Sequence, residues 1–278
     1  MRKSVAYLAG LALLLTAMLG SASAAELPTD LSSLSGPSAA TGAEGVFSEV
    51  LHADGTYKAL FEDDDSPIPV EARDVVGEVT ACVDDAHSLW GWRESNVHGW
   101  HLNTSSIPSG LNASSVLEAA TAASDTVTTA GNSCGRTDAV AAQAKYMGPT
   151  TAGTNIAPSG VCGERDGRSV VGFGPLDNGS LAVACVWYST TSRPWEVLES
   201  DVRISSGHFS FFVDRPVGCS NRFDLESILA HERGHTFGLG HVSEKDHGAL
   251  TMSEKTSPCS TNARTLGLGD VVGLEALY

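Results

Sequence analysis

The sequence predicts an α+β domain over residues 76–278, with an α/β-like region built around a sheet. Two observations lead to this class: candidate strands lie before and after a long amphipathic helix, and a second helical stretch, rich in histidine, follows them. About 200 residues are enough to bury a substantial core in a single domain. The chain shows no internal repeat, so a repeat architecture is not expected.

The elements can be assigned in chain order from the spacing of apolar residues. A short strand at 97–102 precedes a long helix at 114–128, in which Val116, Ala120 and Val127 recur at helical spacing. The run 181–188 is the most β-prone of the chain, and 199–204 alternates as a half-buried strand does. The full set of later strand candidates is 139–147, 169–173, 181–188 and 199–204.

Residues 1–24 have the pattern of a secretory signal peptide. Two basic residues precede an apolar run from 5 to 19, and small residues follow it. That run is short for a membrane span, which disfavours the alternative of an uncleaved anchor. We expect cleavage after Ala24 or Ala25 and a secreted, extracellular protein.

Residues 25–75 are predicted to form a flexible leader or a removable pro-segment. The first half, to about residue 50, is rich in Ser, Ala, Gly and Pro and shows no apolar periodicity. The acidic run at 62–65 is followed by prolines and is most simply a solvated turn, with ion binding as the alternative.

The mature chain is strongly acidic. The sequence has 33 acidic and 17 basic residues, and loss of Arg2 and Lys3 with the signal peptide leaves 15 basic residues, a net charge of −18. This charge argues against nucleic acid or an anionic membrane as partner. Six cysteines in an exported chain suggest three disulfides, for which 15 connectivities exist.

The stretch at 231–241, His-Glu-Arg-Gly-His-Thr-Phe-Gly-Leu-Gly-His, carries the clearest chemical signal. In a helix, His231 and His235 lie one turn apart on one face, so their imidazoles can share a metal ion. Gly238 can accept the positive φ that ends a helix, which lets His241 return as a third ligand. Three imidazoles suit one Zn²⁺ and leave a fourth position open for water, as in catalytic rather than structural sites.

Chance does not account for this motif. At ~1/20 per fixed position, a few hundred starting points give the five-position pattern on the order of 10⁻⁴ times per chain. The segment resembles the extended zinc signature of the metzincin peptidases, H-E-x-x-H-x-x-G-x-x-H, at every fixed position. The resemblance implies that Glu232 acts as general base on a zinc-activated water during peptide-bond hydrolysis.

The helix that carries the motif should begin at Asp224. The Asp224 carboxylate can accept free backbone N–H groups as N-cap, and Glu226 adds favourable charge to the first turn. On a helical wheel, Arg233 lies about 160° from the histidine face, so we predict that it faces solvent.

The C-terminal region resembles the matrixin branch of the metzincins. Residues 250–253 resemble the methionine turn that lies under the zinc, with Met252 as its apolar floor, and 266–278 resembles the closing helix, with Asp270 in the matching place. The resemblance is strong over 222–278. It implies a twisted mixed sheet with two helices, a small C-terminal subdomain, and a protein or peptide substrate in the cleft between them.

The resemblance leaves several features open. The leader has no Pro-Arg-Cys-Gly latency motif, and the spacing that holds a second, structural zinc is absent from the sequence; the sequence does not determine calcium binding. His52 lies in the leader. The remaining histidines are expected at the surface or in local hydrogen bonds: His87, His98, His101, His208 and His247.

These observations predict a secreted, monomeric zinc metalloendopeptidase. A substrate could add as an antiparallel strand to an exposed sheet edge, for which 181–188 is the candidate. Two alternatives are an inactive secreted zinc-binding protein of the same fold, which intact Glu232 disfavours, and a zinc-stabilised structural module, which the open coordination position disfavours.

The cysteines are predicted to pair as Cys82–Cys134, Cys162–Cys185 and Cys219–Cys259. The middle pair would join neighbouring strands, and the last would join the start of the zinc helix to the segment after the methionine turn, with loop closure worth roughly 3–4 kcal/mol. In the competing hypothesis the Cys82 thiol blocks the zinc in a latent form.

Overall fold

One mixed sheet with two packed helices organises the chain in this computed structural model, which describes residues 44–53, 81–177 and 179–278. The predicted signal peptide, and the leader apart from 44–53, lie outside the described residues. The predicted α+β class, with a mixed sheet and few helices, is confirmed.

The described strands and helices follow the predicted order. The strands are β1 Glu44–Ala53, β2 Ser88–Leu89, β3 Trp92–Arg93, β4 Val97–Asn103, β5 Gln143–Thr150, β6 Ser169–Gly174, β7 Ser180–Ser189, β8 Trp195–Ser205, β9 Ser210–Phe212, β10 Arg222–Asp224, β11 Leu239–Gly240 and β12 Lys255–Thr256. The helices are α1 Ala113–Thr128, α2 Leu225–Thr236, α3 Glu244–His247 and α4 Leu268–Leu277. Among the described residues, no helix has the length and apolar character needed to cross a bilayer.

The predicted elements agree with the structure except at one boundary. The predictions at 97–102, 114–128, 169–173, 181–188 and 199–204 lie inside β4, α1, β6, β7 and β8. The prediction at 139–147 begins too early, because Val140 and Ala142 are buried but belong to irregular chain before β5. Apolar content alone does not distinguish such a segment from a strand.

The sheet runs in the order β12-β1-β7-β8-β6-β4-β5. Strands β8, β6, β4 and β5 run parallel to one another, whereas β7 is antiparallel to both β8 and β1. Strand β7 is buried continuously from Ser180 to Trp187. Its unbroken apolar sequence fits a strand covered on both faces.

The main core lies between the sheet, α1 and α2. Small side chains of α1, including Ala120 and Ala123, let the two helices approach closely, and Ile228 and Leu229 of α2 are fully buried against them. Each such isoleucine or leucine contributes roughly 1.5–3 kcal/mol through burial. The packing fixes α2 across the sheet, where its motif residues lie.

The predicted flexibility of the leader is wrong for Glu44–Ala53. These ten residues form β1, which pairs with β7 over nine positions and with β12 over two. Their sequence alternates, with Phe47, Glu49 and Leu51 on one side and Val46 and Val50 on the other. The Ser- and Gly-rich chain before residue 44 conceals this alternation when composition is averaged over the leader.

The predicted exposed edge at 181–188 is also wrong. Strand β7 lies inside the sheet, because β1 covers the side opposite β8. The strand was correctly identified, but its exposure depended on a partner that is distant in the sequence.

The three disulfides have the predicted pairing. Cys82–Cys134, Cys162–Cys185 and Cys219–Cys259 include all six cysteines and leave none free. The structure therefore contradicts the hypothesis that a free Cys82 thiol blocks the metal site.

Candidate metal centre

Helix α2 begins at Asp224, as predicted. The Asp224 carboxylate accepts hydrogen bonds from the backbone N–H and the hydroxyl of Ser227, at 3.0 and 2.7 Å, and so caps the first turn. Arg264 binds the same carboxylate, at 2.6 and 2.8 Å, and reaches Glu226 at 3.1 Å. This charged network fixes the N-terminus of the helix that carries the motif.

The chain turns at Gly238, as the motif predicts. Gly238 has φ +97°, and a Cβ at this position would overlap the carbonyl oxygen of Trp92. Both the positive φ and the close approach of another backbone segment require glycine here. The turn brings His241 back toward the end of α2.

The three motif histidines converge on one point. Their Nε2 atoms are separated by 3.0 Å between His231 and His235, 2.9 Å between His231 and His241, and 3.2 Å between His235 and His241. A tetrahedral zinc with Zn–N bonds of about 2.0–2.1 Å would separate its ligand nitrogens by about 3.3 Å. The donor set therefore fits one zinc ion, and it forms a group of three possible ligands within the described residues.

Each ring is oriented by its other nitrogen. The Nδ1 atoms of His231 and His235 lie 2.7 and 2.9 Å from the backbone carbonyl oxygens of Thr251 and Leu239, and Nδ1 of His241 lies 2.7 Å from a Glu49 carboxylate oxygen. A proton on each Nδ1 leaves the Nε2 lone pair free for a metal.

Burial keeps His231 and His235 neutral. Desolvation lowers the pKa of His231 to about 3 and lowers the pKa of His235 well below its usual value; the charge of neighbouring imidazoles acts in the same direction. Neutral imidazole is the form that binds metal, so His231 and His235 are ready to bind it at physiological pH.

Glu232 is a fully buried carboxylate beside these rings. Its two oxygens have no hydrogen-bond partner of normal geometry among the described residues. Burial raises its pKa well above the usual value, the Glu49 carboxylate raises it further, and the backbone N–H of Ala184 opposes the shift. An unpaired buried acid is destabilising, so Glu232 is a candidate functional group.

Met252 packs under α2. It is buried, and a Cβ on Gly234 would overlap its sulfur, so the methionine touches the helix between the first two histidines. The Asp270 carboxylate accepts hydrogen bonds from the backbone N–H groups of Thr251 and Met252, at 2.9 and 3.2 Å, and of Gly267 at 2.8 Å. The closing helix thereby holds the methionine turn in place.

The prediction that Arg233 faces solvent is wrong. Arg233 is 1% exposed; its guanidinium lies 4.8 Å from the ring centre of Trp100 and donates to Nε2 of His98 at 3.2 Å. Nδ1 of His98 is bonded in turn to Glu94 at 2.5 Å. Helical-wheel geometry gives a direction, but α2 has neighbours on every side, so the polar face is enclosed as well. Burial lowers the pKa of Arg233 to about 10.

The other histidines make separate contacts. His98 is buried but locally bonded to Glu94, and His101 bonds to the backbone carbonyl of Gly148 on the neighbouring strand β5. His247 instead reaches a distant partner, the Asp84 carboxylate, at 2.9 Å. His52 is exposed on β1.

Glu49 is the residue at the centre that the sequence did not reveal. Its carboxylate contacts His241 at 2.7 Å and His235 at 3.3 Å, and it accepts a hydrogen bond from the Trp90 indole at 2.8 Å. The alternation of side chains along β1 could have predicted a strand there, but no sequence spacing connects residue 49 with the histidine motif.

A cavity of about 130 Å³ lies beside His231. His231, Thr251 and Leu250 line one part, and Lys255 and the buried side chain of Leu51 line another. The cavity adjoins the first histidine on the side reached by β1.

Comparison with known proteins gives two findings. The matrixin family profile matches residues 121–278, which is more than half of the chain. Metalloendoproteinase 4-MMP of Arabidopsis thaliana is 46% identical over 55 residues, covering 20% of this chain and 15% of that protein's length.

Proposed function

The chain belongs to the matrixin family, and on that premise we propose that it is a secreted zinc-dependent endopeptidase. His231, His235 and His241 would hold the zinc through their Nε2 atoms. When bound, zinc lowers the pKa of a water ligand and polarises a substrate carbonyl. Secretion is supported by the predicted signal peptide and by three disulfides, which persist in oxidising compartments.

Glu232 would act as general base and then as general acid. Its carboxylate accepts a proton from the attacking water and delivers that proton to the amine that leaves the cleaved peptide bond. Burial raises the pKa of the Glu232 carboxyl, which makes its carboxylate a stronger base toward the water proton. Nδ1 contacts to Thr251 and Leu239 keep the rings of His231 and His235 in place during this exchange.

One observation carries this function: Glu232, whose buried carboxylate has no hydrogen-bond partner of normal geometry among the described residues, directly follows the first of three converging imidazoles. An inactive zinc-binding protein would gain nothing from that carboxylate, which burial makes unfavourable. A structural zinc site would use a fourth protein ligand rather than leave a position open.

The test combines metal content with peptide cleavage. Purified secreted chain should contain about one zinc per molecule and cleave an unfolded protein, and a chelator should abolish the cleavage until zinc is restored. Full metal occupancy without cleavage, after the N-terminal segment is released, would support the inactive binding protein instead.

A further inference from the structure

A segment far from the histidine motif in the sequence, residues 88–94, lies along the turn between α2 and His241. Its first two residues form β2, which pairs antiparallel with β11 of the turn. The N–H of Trp90 donates to the carbonyl oxygen of Gly238 at 3.0 Å. The 88–94 segment therefore contacts the turn from Gly238 to Gly240.

Trp92 contacts the end of α2 in two places. Its indole N–H donates to the backbone carbonyl oxygen of His235 at 3.0 Å, and the same oxygen accepts the N–H of Gly238 at 3.0 Å, which closes the turn. The backbone carbonyl of Trp92 lies so close to Gly238 that a Cβ at this glycine would overlap it. Trp92 thus contacts both a motif histidine and the glycine at which the chain turns back to the third histidine.

The packing around Trp92 makes it a firm support. Its side chain is 1% exposed, and its ring is stacked with those of Trp90 and Tyr188, at centroid distances of 5.9 and 5.1 Å. Its backbone pairs in parallel with Trp195 of β8, a strand in the middle of the sheet. Because a close-packed interior resists movement of so large a side chain, the indole ties the end of α2 to the sheet.

Tyr278, which follows α4, adds a second contact to the end of α2. Its hydroxyl donates to the carbonyl oxygen of Phe237 at 3.2 Å and accepts the backbone N–H of Glu94 at 2.8 Å. The Arg93 guanidinium also donates to the carbonyl oxygen of Leu277, at 3.2 Å. The last carbonyls of an α-helix lack partners within the helix, so the tyrosine and the two tryptophans supply donors that the end of α2 needs.

From these contacts we propose that Trp92 and Tyr278 are positioning residues of the metal centre. They act through the end of α2, where they fix His235 and the point at which the chain turns back to His241. The His235 ring is oriented by the carbonyl oxygen of Leu239 in that turn, so a shift of the turn also moves the ring. Groups that orient metal ligands are typically worth about 10–100-fold in metal affinity. The proposal rests on the proposed function in one respect, the binding of zinc by the three histidines.

A purely structural role for these two side chains is the competing explanation. In that case, their removal would lower the free energy of unfolding, but the folded protein would bind metal with unchanged affinity and geometry. A positioning role instead predicts weaker and distorted metal binding in chains that still fold. Zinc affinity and the visible spectrum of bound Co²⁺, which depends on coordination geometry, separate the two explanations.

The first pair of variants tests the indole in the full chain, from which metal is removed and then returned. Trp92→Phe removes the donor and keeps an aromatic ring. The matched control is Trp187→Phe, at a buried tryptophan in a core cluster that contains no residue of α2. In competition with a chromophoric chelator, Trp92→Phe should bind zinc about 10–100-fold more weakly than the unsubstituted chain, and the control should match that chain. The Co²⁺ spectrum should change only in Trp92→Phe.

A second pair keeps the test decisive if circular dichroism shows that Trp92→Phe does not fold. Tyr278→Phe removes only the hydroxyl between Glu94 and Phe237, and should weaken zinc binding about tenfold. Its control, Tyr146→Phe, removes a hydroxyl from β5 at the end of the strand order and should not change the affinity. Unchanged zinc affinity in every folded variant would overturn the positioning role, even if unfolding shows a loss of stability.

Peptide hydrolysis by the unsubstituted chain, once its N-terminal segment is released, separates this proposal from the proposed function. Weaker zinc binding by the Trp92 and Tyr278 variants, in a chain that cleaves no peptide, keeps the positioning role and refutes the peptidase. Cleavage by a chain whose variants all bind zinc equally keeps the peptidase and refutes the positioning role. An unsubstituted chain that binds neither zinc nor Co²⁺ would refute both.

Discussion

Helix α2 and strand β1 both contribute to the candidate metal centre, but different kinds of contact hold them there. Helix α2 supplies His231, Glu232 and His235 from adjacent turns, and all its residues except Glu226 are buried. Strand β1 supplies Glu49 from a far part of the sequence and is mostly half-buried. Rigid, buried placement suits groups that take part in chemistry, whereas partial burial suits a segment that can leave.

The largest expected effect concerns the chemistry on α2. Glu232→Gln should lower peptide hydrolysis by at least the 10²–10⁴-fold that general-base assistance is worth, while zinc stays near one per chain. The control is Glu275→Gln on α4, which removes an ion pair with Arg136 and should retain activity. Hydrolysis by Glu232→Gln at close to the original rate would exclude this carboxylate as the base.

The next largest effect concerns zinc binding by His241, which the turn after α2 brings back to the other two histidines. His241→Ala should weaken zinc binding by more than about 100-fold, because even residues that only support metal ligands are worth 10–100-fold. His247→Ala, which removes only a partly exposed contact to Asp84, should retain the metal. Competition with a chromophoric chelator measures both affinities. Similar zinc retention by the two variants would show that His241 is not a ligand.

A stability prediction tests the turn itself. Gly238→Ala should destabilise the fold by about 3 kcal/mol or more, since the new Cβ meets the Trp92 carbonyl and the backbone keeps a positive φ. Gly135→Ala has a similar φ, +73°, but open space around its Cβ, so only the conformational strain of about 1–2 kcal/mol remains. Denaturant unfolding compares them. An equal loss in both would mean that the close approach of Trp92 contributes nothing.

The smallest effect compares the two regions directly. Backbone amides of β1 should exchange hydrogen roughly tenfold or more faster than those of β8, because a half-buried strand can open without unfolding the sheet behind it. Mass spectrometry of peptides covering Glu44–Ala53 and Trp195–Ser205 measures this difference. Equal protection in the two strands would make β1 an integral part of the sheet.

Much of the α2 region was predictable because its information is local. The spacing of His231, His235, Gly238 and His241 specifies a helix, a turn and a third imidazole within eleven residues, and the structure has each of them. The N-cap at Asp224 was predictable for the same reason. Such features depend on the backbone geometry of a single helix end.

The sequence by itself determined the α+β class, most strand and helix positions, the disulfide pairing and the histidine cluster. Tertiary structure alone decided the burial of Arg233, the covered edge of β7 and the arrival of Glu49 at His241. The physical reason is that periodicity within an element states which face is apolar but not what packs on the other face. Strand pairing adds a second uncertainty, because its backbone hydrogen bonds carry almost no sequence signal, so the pairing of residue 49 with residue 184 becomes visible only in the assembled sheet.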